Sequence, residues 1–150
     1  MRRALVLIAV AAAVAVAVGE GGAAGAGSTC AAARLRLSLS TQGTATQSVI
    51  VLSMLNRSAS ACVVSGAVRF EVEQAGRPAR ISGNPITVRV HARLIPKRAQ
   101  SVAHVWWANW CGSRRGLDVA ARYDGVTVRS RFRSLPVCLS SSRRSTLSPR

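Results

Sequence analysis

Apolar and polar residues alternate with a period of two in several short stretches, and this pattern constrains the fold more than any other feature. Residues 34–40 carry leucine at every second position, and residues 67–74 and 86–94 repeat the alternation with other apolar residues. Successive side chains of a β-strand point to opposite faces, so this alternation predicts strands with one buried side and one solvent-facing side. Residues 48–55 are mostly apolar, which favours a more fully buried strand, and the almost wholly apolar residues 102–107 suit a strand buried on much of both faces.

A two-residue Asp124-Gly125 turn separates two further β-patterned runs, residues 117–123 and 126–133. A type I′ turn needs positive φ at both central residues, which Asp-Gly tolerates, so a hairpin is predicted here. With residues 102–107, the chain has about seven short strands with turn residues between them. We therefore predict an all-β fold, an immunoglobulin-like antiparallel β-sandwich of about seven strands, preceded by a signal-peptide helix.

The apolar stretch with the largest side chains is residues 101–112, S-V-A-H-V-W-W-A-N-W-C-G. It holds Cys111 and the three tryptophans of the chain, Trp106, Trp107 and Trp110. One interpretation is a tryptophan platform for a sugar or a lipid. We favour the other, a structural tryptophan cluster in the core, because an indole beside a half-cystine packs on the sulfurs and shields them.

The N-terminus has the features of a secretory signal peptide. Two arginines precede an apolar run at residues 4–18, which is shorter than the about 20 residues needed to span a bilayer. Small residues follow, and we place the cleavage after Ala26. An uncleaved membrane anchor is the alternative. The predicted localisation is secreted or associated with the cell surface. The predicted domains are a signal peptide (residues 1–26), a β-sandwich (residues 27–139) and a disordered basic tail (residues 140–150).

Two disulfides are predicted because four cysteines follow the cleavage site: Cys30, Cys62, Cys111 and Cys138. If the first two strands form a hairpin, the chain returns to the end where it began, which places Cys30 beside Cys62. The Asp124-Gly125 hairpin places Cys111 beside Cys138 in the same way. The nearest competing pairing, Cys30 with Cys138 and Cys62 with Cys111, would require the two ends of the sandwich to coincide.

The chain is strongly basic, with a formal net charge of +16. Cleavage removes Arg2, Arg3 and Glu20, which leaves 19 basic and 4 acidic residues, or +15. A field of this sign attracts polyanions. Nearly all the cations are arginine, and the codon usage of a GC-rich genome would also produce that bias. Whether the arginines are selected for function is therefore open at this point.

Arginines recur at the outward positions of the predicted strands, where guanidinium groups suit bidentate contacts with phosphate or carboxylate. The candidate polyanion-binding residues are Arg69, Arg89, Arg129, Arg131 and Arg133. The expected partner is an anionic cell-wall polymer or an acidic protein. We do not expect nucleic acid, because no aromatic residues are interleaved with the arginines. After cleavage no stable membrane span is expected, and the oligomeric state stays open.

No constellation of catalytic residues is evident, so we predict a non-catalytic binding module without metal or cofactor. The chain lacks a G-x-S-x-G elbow and any C-x-x-C pair. A copper site from His91, His104 and Met54 would need a spacing that is not evident. The Asn56-Arg57-Ser58 match to a glycosylation sequon is too short to carry weight on its own. The alternative function is an exported hydrolase or other enzyme with an unrecognised site.

Several short motifs, taken as a set, resemble those of a family of exported bacterial domains. The motifs are Leu55-Asn56, Ala61-Cys62-Val63-Val64-Ser65-Gly66, Leu94-Ile95-Pro96, Trp106-Trp107-Ala108-Asn109-Trp110-Cys111-Gly112 and Pro136-Val137-Cys138. The family is known only as the domain of unknown function numbered 4232, and the resemblance extends from Cys30 to Cys138. Pro96-Lys97 stands where the family usually has Pro-Gly. The resemblance implies an exported β-sandwich and brings no activity and no functional residues.

Overall fold

The computed structural model describes residues 27–44 and 46–149. The predicted signal peptide, with its helix, lies outside the described residues. One turn of 3-10 helix at Ala32–Arg34 precedes the strands. The strands of the described residues are β1 (Leu35–Gly43), β2 (Gln47–Asn56), β3 (Cys62–Gln74), β4 (Arg77–Pro78), β5 (Ile86–Ile95), β6 (Gln100–Ala108), β7 (Leu117–Tyr123), β8 (Val126–Arg131) and β9 (Thr146–Pro149).

The strands form two antiparallel sheets that pack face to face. The first sheet has the order β1-β2-β6-β9. In the second sheet β3 is central, with β7 and then β8 on one side and with β5 and the short β4 on the other. The chain crosses between the sheets after β2, β5 and β6, as in an immunoglobulin-like sandwich, and once more after β8 to reach β9. The seven long strands confirm the predicted all-β sandwich.

The core lies between the sheets and is built from alternate residues of each strand. In β2 the alternation is complete: Ile50, Leu52 and Met54 are fully buried, whereas the residues between them are only half-buried. Phe70 of β3 belongs to the same apolar cluster. The prediction that β2 is more fully buried than β1 is confirmed, because no residue of β2 is exposed. The prediction that residues 102–107 are buried on much of both faces is correct only in part, because Val102 is 46% exposed on the outer face of β6.

The two disulfides join the predicted pairs, Cys30–Cys62 and Cys111–Cys138. Cys62 begins β3, which places the first bridge at the end of the sandwich where β2 also finishes. The second bridge lies at the opposite end, beyond the last residue of β6 and ahead of the first residue of β7. The two-hairpin argument therefore gave the correct pairing. We call these ends the Cys30 end and the Cys111 end.

The C-terminal segment differs from the predicted disordered tail, because residues 146–149 form β9 on the edge of β6. The side chain of Asn109 holds the chain that leads there: its Oδ1 accepts from Leu139 N at 2.8 Å, and its Nδ2 donates to Ser140 O at 3.0 Å. Trp107 Nε1 donates to Ser145 Oγ at 2.7 Å, and Leu147 is buried. The segment belongs to the sandwich through contacts that its serine- and arginine-rich composition does not reveal.

Replacing Ser145 with alanine tests whether this segment is part of the fold. The change removes the acceptor of the Trp107 N–H, so we expect the free energy of unfolding to fall by about 1–3 kcal/mol. Ser142→Ala is the matched control, because the Ser142 side chain contacts only Ser140 at the surface. Equal urea midpoints for the two variants would show that residues 140–149 do not support the core.

Candidate anion-binding surface

Four of the five predicted arginines lie on the outer face of the second sheet. Arg69 is on β3, Arg89 on β5, and Arg129 and Arg131 are on β8; all four are exposed. Each alternates with residues that face the other sheet, as Arg69 does between two fully buried core residues. The period-two pattern therefore placed these four side chains correctly.

A fifth arginine of this face, Arg122, was missed. It lies on β7 directly opposite Arg69 in the strand register, and it is exposed. The signal was present, since the alternation of residues 117–123 places Arg122 outward once Leu117 is placed inward. We call this group the arginine face; its members are Arg69, Arg89, Arg122, Arg129 and Arg131.

Arg133 does not belong to the arginine face, because β8 ends at Arg131. Its backbone N–H donates to Thr41 Oγ1 at 3.4 Å, which brings it to β1 of the other sheet. There it lines a depression of about 340 Å³ together with Leu39 and Arg131. The prediction extended the strand too far: Phe132 still turns inward against Trp107, and the chain then leaves the sheet.

Carboxylates interrupt the arginine face. Glu71 and Glu73 on β3 and Asp118 on β7 occupy outward positions among the arginines. Arg69 Nη2 lies 3.7 Å from Glu71 Oε2, and Arg129 Nη2 lies 3.4 Å from Glu73 Oε1.

Both ion pairs are exposed enough that water competes with them. The arginine side chains are 55% and 62% exposed, and such pairs contribute only about 0–1 kcal/mol. A shallow depression of about 320 Å³ between these side chains is also lined by Arg122. The guanidinium groups therefore stay accessible to a partner, but the nearby carboxylates weaken their field.

The three tryptophans do not form one cluster. Trp107 is fully buried, and its ring centroid lies 5.3 Å from that of the half-buried Trp110. Trp110 Nε1 donates to Ser113 O at 3.2 Å near the Cys111 end. Trp106 is half-buried on the opposite, outer face of the first sheet, since adjacent residues of β6 alternate sides. The predicted structural cluster is thus correct for Trp107 and Trp110 and wrong for Trp106.

The residues considered for a metal site are dispersed. His91 is exposed on β5. Met54 is buried in the core, whereas His104 lies on the outer face of the same sheet, with a buried Nε2 that has no hydrogen-bond partner among the described residues. In the part of the chain that the structure describes, no group of three His, Cys, Asp or Glu residues could hold a metal ion.

Three titratable groups of the second sheet have defined contacts. Glu71 and Glu73 face arginines, as described above. The Tyr123 hydroxyl donates to Ser65 O at 2.9 Å, and burial raises the pKa of Tyr123 above its ordinary value of 10.0 because the phenolate would lose its solvation.

Comparisons with known proteins found no relative: no family model, no curated protein and no solved structure matches the chain.

Two features of the described residues bear on the cellular compartment of the protein. The two disulfides indicate an oxidising environment outside the cytosol. Among residues 27–44 and 46–149 there is no helix long and apolar enough to cross a membrane.

Proposed function

We propose that this protein is an exported, non-catalytic binding module that engages an anionic polymer of the cell surface. The signal-peptide pattern of residues 1–26 and the two disulfides support export. The arginine face is the proposed contact surface, and no step of catalysis is part of the proposal.

The observation that carries the proposal is the imbalance of charge on the described residues. The sequence has 21 lysines and arginines and five carboxylates; Arg2, Arg3, Arg150 and Glu20 lie outside the described residues, which leaves 18 cations and four carboxylates. Only two ion pairs form among them. Most of the cations thus have no internal partner to neutralise them, and the field extends into solvent.

The composition of the arginine face favours a partner that binds through charged contacts. The other outward residues of the same strands include Thr87, Ala120 and Thr127, and the described part of this face presents no phenylalanine, tyrosine or tryptophan ring on which a base or a sugar would stack. Guanidinium groups bind phosphate and carboxylate bidentately. An anionic wall polymer fits these properties better than a nucleic acid does.

Replacing Glu73 with glutamine is expected to strengthen binding. The change removes a carboxylate that repels a bound polyanion and releases Arg129 from its ion pair. Since exposed charge pairs contribute about 0.2–1 kcal/mol, we expect the affinity for heparin at low salt to rise about two- to fivefold.

Asp124→Asn is the matched control for this experiment. It removes the same charge from the β7–β8 turn, where no ion pair among the described residues involves it, and Asn-Gly suits the same turn type. Fluorescence anisotropy with labelled heparin gives both affinities. An equal rise for the two variants would show that only net charge matters and that the arginine face is not the contact surface.

A further inference from the structure

A second group of cations lies at the Cys30 end, where one buried side chain joins two loops. Asn56 is fully buried at the end of β2. Its Nδ2 donates to Ser60 O at 2.9 Å and to Ile95 O at 3.1 Å, and its Oδ1 accepts from Ser58 N at 2.8 Å. The amide therefore fixes the β2–β3 loop against the end of β5. Because Asn56 is buried and its amide is engaged, the Asn56-Arg57-Ser58 sequon is structural.

Backbone hydrogen bonds bring the cations of three segments together around Asn56. Arg57 N donates to Arg34 O at 2.9 Å, which joins the β2–β3 loop to the 3-10 turn. Arg98 N donates to Asn56 O at 2.9 Å, which joins the β5–β6 turn to the same point. Lys97 precedes Arg98 in that turn. We call these four exposed residues the basic end: Arg34, Arg57, Lys97 and Arg98.

The basic end differs from the arginine face in having no carboxylate beside its cations. The carboxylates of the described residues lie on β3, on β7 and in the β7–β8 turn, and none lies on the three segments that carry the basic end. No described ion pair involves any of these four cations. A ligand anion would therefore meet their charges without internal competition.

The backbone that carries these charges is already fixed in place. The Cys30–Cys62 disulfide, the Asn56 amide and the positive φ of Arg98 (62°) together define the positions of the three segments. A partner would not have to order this backbone on binding, which reduces the entropic cost of association.

We infer that the basic end is a binding site for a chain of phosphate groups, an inference that rests on the proposed function and adds a second site and a ligand chemistry to it. Three guanidinium groups suit bidentate contacts with phosphate oxygens, and Lys97 supplies a point charge. The three segments contain no aromatic residue, so the site contacts charged groups and stacks on no ring. Four cations on adjacent segments can contact successive charges of a linear polyphosphate-like chain.

The test uses the full, oxidised protein and inorganic polyphosphate as the probe. The variant Arg34→Gln/Arg57→Gln/Arg98→Gln should bind polyphosphate at least about tenfold more weakly at low salt. Its plot of log affinity against log salt should be flatter by about 2, at about 0.7 for each lost phosphate contact of a single-stranded chain. The variant Arg77→Gln/Arg80→Gln/Arg143→Gln removes the same charge at other exposed positions and should bind within about threefold of the unmodified protein.

The outcomes separate this inference from the proposed function. Equal losses in the two triple variants, or heparin binding without polyphosphate binding, would overturn the inference and leave the arginine face untouched. Equal affinity for polyglutamate would overturn the assignment to phosphate, and tighter binding of single-stranded DNA would overturn the assignment to a polyphosphate-like chain without bases. Failure of the unmodified protein to bind any of these polymers would refute the proposed function itself. Unchanged thermal unfolding midpoints confirm that both triple variants are folded.

Discussion

Replacing Trp107 with alanine is expected to lower the free energy of unfolding by about 3–5 kcal/mol, the range typical of large-to-small changes at buried aromatic residues. Trp107 is fully buried, and its ring contacts Phe132 and Trp110 with centroid distances of 4.7 and 5.3 Å. Its N–H also holds Ser145 of the C-terminal segment. The change therefore opens a cavity and releases β9 at the same time.

Trp106→Ala is the matched control, because Trp106 is the neighbouring residue of β6 and lies half-buried on the outer face. It should destabilise the fold by clearly less than Trp107→Ala does. Urea unfolding followed by far-ultraviolet circular dichroism measures both variants without relying on tryptophan fluorescence. A loss for Trp106→Ala equal to or larger than that for Trp107→Ala would contradict the assignment of Trp107 to the core.

Removing either disulfide is expected to destabilise the protein by about 3–4 kcal/mol. The bridges span sequence separations of 32 and 27 residues, so the chain-entropy argument gives nearly equal contributions. Paired changes to alanine, Cys30→Ala/Cys62→Ala and Cys111→Ala/Cys138→Ala, leave no unpaired thiol behind.

The second pair should show the larger loss of the two. Cys138 directly precedes the segment that Asn109 and Trp107 hold against the sandwich, so its release also loosens those contacts. Guanidinium unfolding of the paired variants, with the oxidised protein as reference, gives both values. A loss below about 1 kcal/mol for either pair would show that its bridge does not restrict the unfolded chain as the loop length requires.

Local patterns were sufficient to predict most of the sandwich. Alternating residues define β1, β5, β7 and β8, and Asp124-Gly125 forms the predicted hairpin turn, with φ of 45° and 79°. Each hairpin brings its own cysteines together, which is why the disulfides could be paired before the sheets were known. Strand β9 could not be predicted, because its four residues have no distinct pattern and are held by partners on β6 and at Asn109.

The two candidate sites also differ in whether local sequence patterns or long-range contacts define them. The arginine face follows from alternation along single strands, although its ion pairs depend on strand neighbours, as for Arg129 and Glu73. The basic end has no local signal, because its cations come from segments far apart in sequence. What joins them are the backbone hydrogen bonds of Arg57 and Arg98 around Asn56, which looks in the sequence like an ordinary turn residue.

The most direct test of the central claim is the salt dependence of heparin binding by the full, oxidised protein and by the variant Arg89→Gln/Arg122→Gln/Arg131→Gln. These three arginines belong to the arginine face but not to its two ion pairs. The proposal predicts that the affinity of the unmodified protein falls steeply between low and moderate salt, and that the slope for the variant is flatter by at least about 1. Binding that is absent at low salt, or identical slopes for the two proteins, would contradict the arginine face as the surface that binds an anionic polymer.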